Sequence, residues 1–138
     1  DNGCLMVVPG RHKGKMYSLY DGKQFIGRVD DATETFLKSK QIPVVGSAGD
    51  ACLMHTRLAH GSAPNKSDRS RGLYICVYTA ADAVPLARNP MPSPNEGLIV
   101  RGKKQISARM INFEVELPQQ PKSASFFTVQ GQESATGK

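Results

Sequence analysis

Residues 71–79 form the run with the clearest structural periodicity in the 138-residue sequence. Two sets of side chains alternate along it: Leu73, Ile75 and Val77 in one set, and Tyr74, Cys76 and Tyr78 in the other. Successive side chains of a strand point to opposite faces, so this alternation predicts a β-strand. Because both faces are fairly apolar, we expect the strand to be covered on both sides, as in a closed or two-layered β-roll.

Other segments predict further short strands and one helix, separated by turn-forming residues. Short β-rich runs predict strands at residues 4–8, 42–45 and 50–57. An acidic start followed by apolar residues predicts a short helix over residues 32–38. Residues 60–70 carry glycine, proline and polar residues, which indicates a tight connection. Thirteen glycines and nine prolines in the chain favour a turn-rich, mainly β fold.

The C-terminal part of the chain is predicted to be less regular. Residues 80–104 contain four prolines, too many for regular structure, and indicate a long surface loop. Residues 106–117 can recover a strand. Residues 118–138 are rich in polar and small residues and predict a poorly ordered tail. We therefore expect one domain over residues 1–117, followed by that tail.

Composition limits the classes of partner. The longest apolar stretch, residues 4–9, is far shorter than the ~20 residues that a membrane helix needs. The net charge is +6, but the basic residues are scattered and no stacking-aromatic motif accompanies them, so we expect no nucleic-acid partner. The three cysteines, at positions 4, 52 and 76, form no CxxC pair and each lies in an apolar run, so we expect them to be reduced core residues. We therefore predict a soluble, cytoplasmic protein.

The chain has three histidines, His12, His55 and His60. A lone histidine is more often structural than functional, so position must distinguish them. His60 opens a His-Gly-Ser turn directly after a predicted strand, where its ring can project from the rim of a β-roll towards a cavity. His55 lies inside that predicted strand and is expected to pack or to support a neighbour.

Arg71 begins the predicted strand at residues 71–79 and shares its parity with Leu73, Ile75 and Val77. If that face lines the interior, Arg71 is a buried cation that needs an anionic partner, and a bound carboxylate is a natural candidate. The alternative is that Arg71 lies in water at the open end of the strand. The residues alone leave both alternatives open.

Two blocks of the sequence resemble a known family. Residues 1–14, DNGCLMVVPGRHKG, are similar to the NGCL-x-V-x-PG-x-HK-G segment of phytanoyl-CoA dioxygenase-like oxygenases. Residues 49–55, GDACLMH, and 60–65, HGSAPN, resemble a second block, in which a strand leads to an HGS turn and then an Asn. The likeness extends to Arg71, eleven residues after His60, and covers about residues 1–80.

The resemblance implies a role for three residues. In this family a His-x-Asp pair and a distal histidine hold iron(II), and His60 matches the distal ligand. Arg71 matches the residue that pairs with the distal carboxylate of the co-substrate 2-oxoglutarate, and Ser62 matches a hydroxyl that assists it. A set of two histidines and one carboxylate leaves iron positions open, and a guanidinium can hold a carboxylate by two hydrogen bonds. His12 belongs to the pattern as a structural residue.

The sequence departs from the family pattern in one respect. The residues two positions after the three histidines are Gly14, Arg57 and Ser62, so no His-x-Asp pair is present. In the family this pair precedes the NGCL block, and the chain begins with Asp1 rather than Met, so we expect further sequence upstream. The resemblance leaves open whether the carboxylate ligand exists, because related halogenases replace it with a small residue.

The resemblance implies a mainly β fold of the double-stranded β-helix type, a cupin-like jelly roll, of which this chain supplies the later strands. It implies an Fe(II)- and 2-oxoglutarate-dependent dioxygenase that hydroxylates a C–H bond of a small molecule. Alone, this chain is expected to be inactive. The alternatives are a non-catalytic cupin-like binding module and an Fe(II)/2-oxoglutarate halogenase. The substrate is not readable from the sequence.

Overall fold

The computed structural model describes residues 1–89, 92–112 and 114–117. Its regular elements are short: strands β1 (Leu5–Val7), β2 (Tyr20–Asp21), β3 (Gln24–Phe25), β4 (Ile42–Val44) and β5 (His60–Ser62), and helix α1 (Asp31–Lys38). A single 3-10 turn, Arg11–Lys13, follows β1. The described residues are therefore β-rich with one short helix, and they close no barrel.

Strand β1 is the centre of a three-stranded antiparallel sheet with the order β4-β1-β5. In the register, Leu5 lies opposite Val44 on one side and opposite Ser62 on the other. The central position explains why Val7 and the following Val8 are only 8% and 5% exposed. Backbone groups of a central strand are bonded on both sides, which makes β1 the best-fixed segment of the sheet.

Helix α1 is fixed at its start by a side-chain cap. The Asp30 carboxylate accepts hydrogen bonds from the Thr33 amide at 2.8 Å and from the Thr33 hydroxyl at 2.6 Å. These two donors hold the pKa of Asp30 below its ordinary value. One turn later, the Lys38 ammonium lies 2.6 Å from the Glu34 carboxylate, the favourable i, i+4 order. The predicted helix is thus confirmed, with a start one residue earlier.

Strands β2 and β3 form a hairpin that carries the third buried side chain of the described core, Ile26. Tyr20 and Phe25 face each other across it with ring centroids 5.3 Å apart in an edge-on arrangement. The hairpin holds a distant segment of the chain, because the Glu116 carboxylate accepts from the Ser18 hydroxyl at 3.0 Å. The predicted strand at residues 106–117 is wrong for the described residues, which form no strand there. This segment is held by the contact of Glu116 and by Arg109, which pairs with Asp82 at 3.0 Å.

Two further strand predictions are wrong. Residues 50–57 form no strand; the chain turns at residues 55–58, and the strand begins only at His60. Residues 71–79 also form no strand. Alternation alone does not make a strand, because the backbone groups need a neighbouring strand to bond. Among the described residues β1 is already paired on both sides, by β4 and β5.

The remaining predictions have mixed outcomes. The predicted strands at residues 4–8 and 42–45 are confirmed, each somewhat shorter. No helix or strand lies in the described part of residues 80–104, as predicted for a long loop. The predicted tail at residues 118–138 lies outside the described residues. Among the described residues, no helix is both long and apolar enough to cross a membrane.

Candidate functional site

The two motif blocks of the sequence lie side by side. Strand β1 comes from the first block and β5 from the second, and they pair with Val7 opposite His60 and Leu5 opposite Ser62. Backbone hydrogen bonds extend this contact past both ends of the strands. The Val8 amide donates to the Ala59 carbonyl and the Lys66 amide to the Asp1 carbonyl, both at 2.9 Å. The two blocks therefore form one structural unit around His60 and Ser62.

Gly3 allows the two blocks to approach this closely. Its φ of +69° lies in the left-handed region, which favours glycine. A Cβ atom at this position would also collide with the carbonyl oxygen of Ala63, in the chain just after β5. The glycine of the NGCL motif is therefore favoured for two reasons: its backbone conformation and the lack of space for a side chain.

His60 and Ser62 lie on the same face of β5, because side chains two positions apart in a strand point the same way. Both are exposed. The Nδ1 atom of His60 lies 2.8 Å from the carbonyl oxygen of Leu58. A carbonyl oxygen only accepts, so Nδ1 must carry the proton, and in the neutral ring Nε2 keeps its lone pair. The Nε2 atom of His60 is therefore of a type that could bind a metal.

His55 has the opposite tautomer. Its Nδ1 atom accepts a hydrogen bond from the Arg57 amide at 3.1 Å, so in the neutral ring the proton is on Nε2. Its ring also packs against that of His12, with centroids 5.5 Å apart. The arrangement agrees with the prediction that His55 packs or supports a neighbour, and it sets His55 apart from His60.

The turn before His60 is tied to the first motif block. The Leu58 amide donates to the His55 carbonyl at 2.9 Å, which closes the turn. From the same turn, the Arg57 guanidinium donates to the Gly14 carbonyl at 2.8 Å. The Leu58 carbonyl that orients His60 therefore belongs to a turn that the hydrogen bond from Arg57 to Gly14 holds in place. Sequence reasoning missed both Leu58 and Arg57. In each case a backbone carbonyl takes part, that of Leu58 itself or that of Gly14 bound by Arg57, and a backbone group leaves no trace in side-chain identity.

Arg71 lies apart from this arrangement. It is exposed, and among the described residues it takes part in no hydrogen bond or ion pair. The alternative in which Arg71 shares a buried face with Leu73 and Val77 is not realised: Leu73 is 69% and Val77 72% exposed, close to the 67% of Tyr78 on the alternate positions. Of the two alternatives for Arg71, the structure has the exposed one. Its role towards 2-oxoglutarate stays a prediction.

The donor set fits iron(II) only in part. The imidazole nitrogen that His60 presents is a ligand type that suits Fe(II), and a backbone carbonyl orients its ring from the other nitrogen, as is usual for metal-binding histidines. Within the described ranges, however, no group of three or more His, Cys, Asp or Glu residues could hold a metal ion. Of the expected three ligands, His60 is the one that the sequence predicts within this chain, and its role stays a prediction.

Comparison with known proteins agrees with the two motif blocks. The sequence profile of a family described as phytanoyl-CoA dioxygenase (PhyH) matches residues 1–73, more than half of the chain. The chain belongs to the phytanoyl-CoA dioxygenase family. The matched range includes β1, β5, His60 and Arg71. No solved structure matches the chain, so the jelly-roll architecture of this family member stays a prediction.

Several curated proteins are similar to this family member. A probable alpha-ketoglutarate-dependent hypophosphite dioxygenase of Stutzerimonas stutzeri is 31% identical over 121 residues, which are 85% of this chain and 42% of that protein. Peroxisomal phytanoyl-CoA dioxygenase of Homo sapiens is 35% identical over 89 residues, 59% of this chain and 25% of that protein. A probable phytanoyl-CoA dioxygenase of Caenorhabditis elegans is 36% identical over 88 residues, which are 59% of this chain and 27% of that protein. The chain spans less than half the length of these relatives.

Proposed function

We propose that the protein is an Fe(II)- and 2-oxoglutarate-dependent dioxygenase that hydroxylates a C–H bond of a small molecule. In the overall reaction the substrate, dioxygen and 2-oxoglutarate give the hydroxylated product, succinate and carbon dioxide. Membership of a family whose relatives are named as dioxygenases supports the reaction class. The observation that carries the proposal to this chain is the ring of His60, oriented by Leu58 so that Nε2 is available to a metal.

His60 would be the distal iron ligand. Iron(II), when bound, would supply the activation of dioxygen that a C–H bond of this kind requires. The hydrogen bond from Nδ1 to the Leu58 carbonyl, 2.8 Å long, fixes the ring plane and makes Nε2 a more basic nitrogen, which would donate its lone pair to a metal more strongly. Pairing of β5 with β1 fixes the backbone beneath the ring. The chain's contribution is therefore an oriented nitrogen on a rigid strand.

Ser62 and Arg71 would bind the co-substrate. Ser62 lies on the His60 face of β5, so its hydroxyl can reach a molecule bound beside the metal. Arg71 would hold the distal carboxylate of 2-oxoglutarate by two parallel hydrogen bonds. Because Arg71 is exposed and outside any strand here, this role requires the segment at residues 71–79 to be covered in the working enzyme.

The two remaining iron ligands would come from sequence that this chain does not contain. Two observations support this: no histidine here is followed two positions later by a carboxylate, and the chain matches only 42% and 25% of two relatives. We place the working protein in the cytoplasm, because its three cysteines are free thiols. The prediction that they are core residues is wrong for Cys52 and Cys76, which are exposed. Its substrate is a small molecule.

The test is to express the full reading frame of the native gene and to measure iron and turnover separately. Anaerobic dialysis should give one Fe(II) bound per protein, and adding oxygen, 2-oxoglutarate and candidate substrates should release succinate. The 138-residue chain alone should do neither. Absence of iron binding by the full protein would remove the proposal, and iron binding without succinate release would favour the non-catalytic module.

A further inference from the structure

A cleft of about 440 Å³ lies between the turn that follows β1 and helix α1. Its walls are Arg11, Lys15, Tyr17, Ala32, Thr33 and Phe36. Two of these side chains carry a positive charge and two are aromatic. None of them belongs to the iron or 2-oxoglutarate site proposed above.

Each cation of the cleft lies over an aromatic ring. The guanidinium carbon of Arg11 is 5.0 Å from the ring centroid of Phe36, and the ammonium nitrogen of Lys15 is 5.4 Å from that of Tyr17. Contact with a ring face holds a cation in place without neutralising it. Within the described part of the chain, neither Arg11 nor Lys15 takes part in an ion pair. The cleft therefore presents two positioned positive charges.

The carboxylates of helix α1 and its cap have other partners. Asp30 caps helix α1 through Thr33. On the same helix, Asp31 pairs with Arg28 at 2.8 Å and Glu34 with Lys38 at 2.6 Å. The segment from residue 2 to residue 20 contains no Asp or Glu at all. The charge of Arg11 and Lys15 is thus left for a ligand rather than for a neighbouring side chain.

The cleft also lies at the His60 end of the sheet. Val7, the last residue of β1, is paired with His60, and the chain then continues directly into the turn that begins at Arg11. The Arg11 amide bonds back to the Val8 carbonyl, which keeps the turn close to the strand end. A molecule whose reacting carbon reaches the His60 site can therefore extend towards this cleft.

We propose that the cleft binds a doubly charged phosphoryl group carried on an apolar body, and that this group is the handle of the substrate. Two cations match a phosphate monoester or phosphonate, which carries a charge of about −1.5 to −2 at pH 7. The guanidinium fork and the ammonium supply charge-assisted donors, and the rings of Tyr17 and Phe36 pack against the body. The binding site stands on its own geometry; only its link to the substrate rests on the proposed function.

The test uses the full-length protein without iron and without 2-oxoglutarate, so that binding is measured apart from turnover. Phenyl phosphate, a dianion on an apolar ring, is titrated and followed by ³¹P NMR. Saturable binding is expected. The variants Arg11→Gln and Lys15→Gln should each weaken it at least about fivefold, because each removes one charge-assisted contact. Lys13→Gln removes an exposed charge of the same turn that does not line the cleft, and should change the affinity less than about twofold.

Two further titrations test the ligand class. Benzoate, a monoanion on the same ring, should bind more weakly than phenyl phosphate, and 2-oxoglutarate should not displace phenyl phosphate. Absence of saturable binding, an equal loss in Lys13→Gln, equal affinity for benzoate, or displacement by 2-oxoglutarate would each overturn the proposal. Because Lys15 is exposed, Lys15→Gln keeps the test valid if Arg11→Gln disturbs folding. Failure of iron binding would instead count against the proposed function and leave these titrations intact.

Discussion

The guanidinium of Arg57 donates a hydrogen bond to the backbone carbonyl of Gly14, 2.8 Å away. The two residues are 43 positions apart in the chain, and the bond connects the turn before His60 to the end of the first motif block. The same turn exposes the Leu58 carbonyl that orients the His60 ring. A surface arginine is thus placed to stabilise the orientation of the proposed iron ligand.

Replacing Arg57 with Ala should therefore weaken iron binding as well as the fold. Loss of one hydrogen bond of this kind lowers the free energy of unfolding by about 1 kcal/mol. We expect Fe(II) affinity of the full protein to fall by about threefold to tenfold, which is at or below the lower end of the roughly 10–100-fold losses seen for residues that contact metal ligands directly, because Arg57 acts through the turn. Arg69→Ala is the matched control, because it removes an exposed arginine near the same strand. Equal iron affinity in both variants would refute the positioning role of Arg57.

The three histidines should respond differently to replacement with Ala. His60 presents a lone pair on Nε2, whereas Nε2 of His55 carries the proton and the His12 ring packs against that of His55. His60→Ala in the full protein should abolish measurable Fe(II) binding. His12→Ala and His55→Ala should lower the urea midpoint of unfolding and leave most of the iron affinity. Similar iron losses in all three variants would show that the roles are assigned wrongly.

The sequence allowed the motif-bearing strand β1, helix α1 and β4 to be predicted, because each depends on local chemistry. Helix α1 needs only its Asp30 cap and its i, i+4 pair, and both can be read within one turn of chain. The pairing of β1 with β5, which brings the two motif blocks together, is a finding of the structure that the sequence did not predict.

Prediction failed where long-range pairing decides the outcome. His60 was expected to open a turn after a strand, but it begins a strand after a turn, because β1 offers its edge to residues 60–62. The segment His60–Ser62 has no strand propensity of its own, and its conformation is set by its partner. Residues 71–79 have the opposite property: their alternation is clear, but no strand of the described chain pairs with them. An alternating sequence and a neighbouring strand to pair with are therefore separate conditions for a β-strand.

The cap of helix α1 should make stability depend on pH in the acid range. Thr33 donates two hydrogen bonds to Asp30 and so lowers its pKa from the ordinary 3.8. A lowered folded-state pKa means that the stabilisation is present above that ordinary value and is lost as the pH falls through the folded-state pKa. Urea unfolding of Asp30→Asn, which keeps an acceptor but does not titrate, should therefore differ from that of the unchanged protein at neutral pH and converge with it in acid. Asp68→Asn is the control, and a difference that is independent of pH would contradict the cap's contribution.

Replacing Arg71 with Lys should be damaging although it keeps the positive charge. Lysine presents a compact ammonium instead of a fork and cannot make two parallel hydrogen bonds to one carboxylate. If Arg71 grips 2-oxoglutarate, the partial loss of such a pair should lower the affinity for 2-oxoglutarate by about tenfold to a thousandfold. Iron affinity should change much less, since Arg71 is not a ligand.

Anaerobic titration of the full protein with 2-oxoglutarate measures how Arg71→Lys changes the affinity for 2-oxoglutarate. Dialysis against Fe(II) measures how it changes the iron affinity. Arg69→Lys is the matched control, because it makes the same change two residues earlier, at another exposed arginine. The comparison also tests whether the segment at residues 71–79 becomes covered in the working enzyme. An exposed arginine tolerates lysine because water solvates either cation, whereas an arginine held against a buried carboxylate does not. Unchanged affinity for 2-oxoglutarate in Arg71→Lys would therefore place Arg71 in solvent in the full protein as well, and remove it from the co-substrate site.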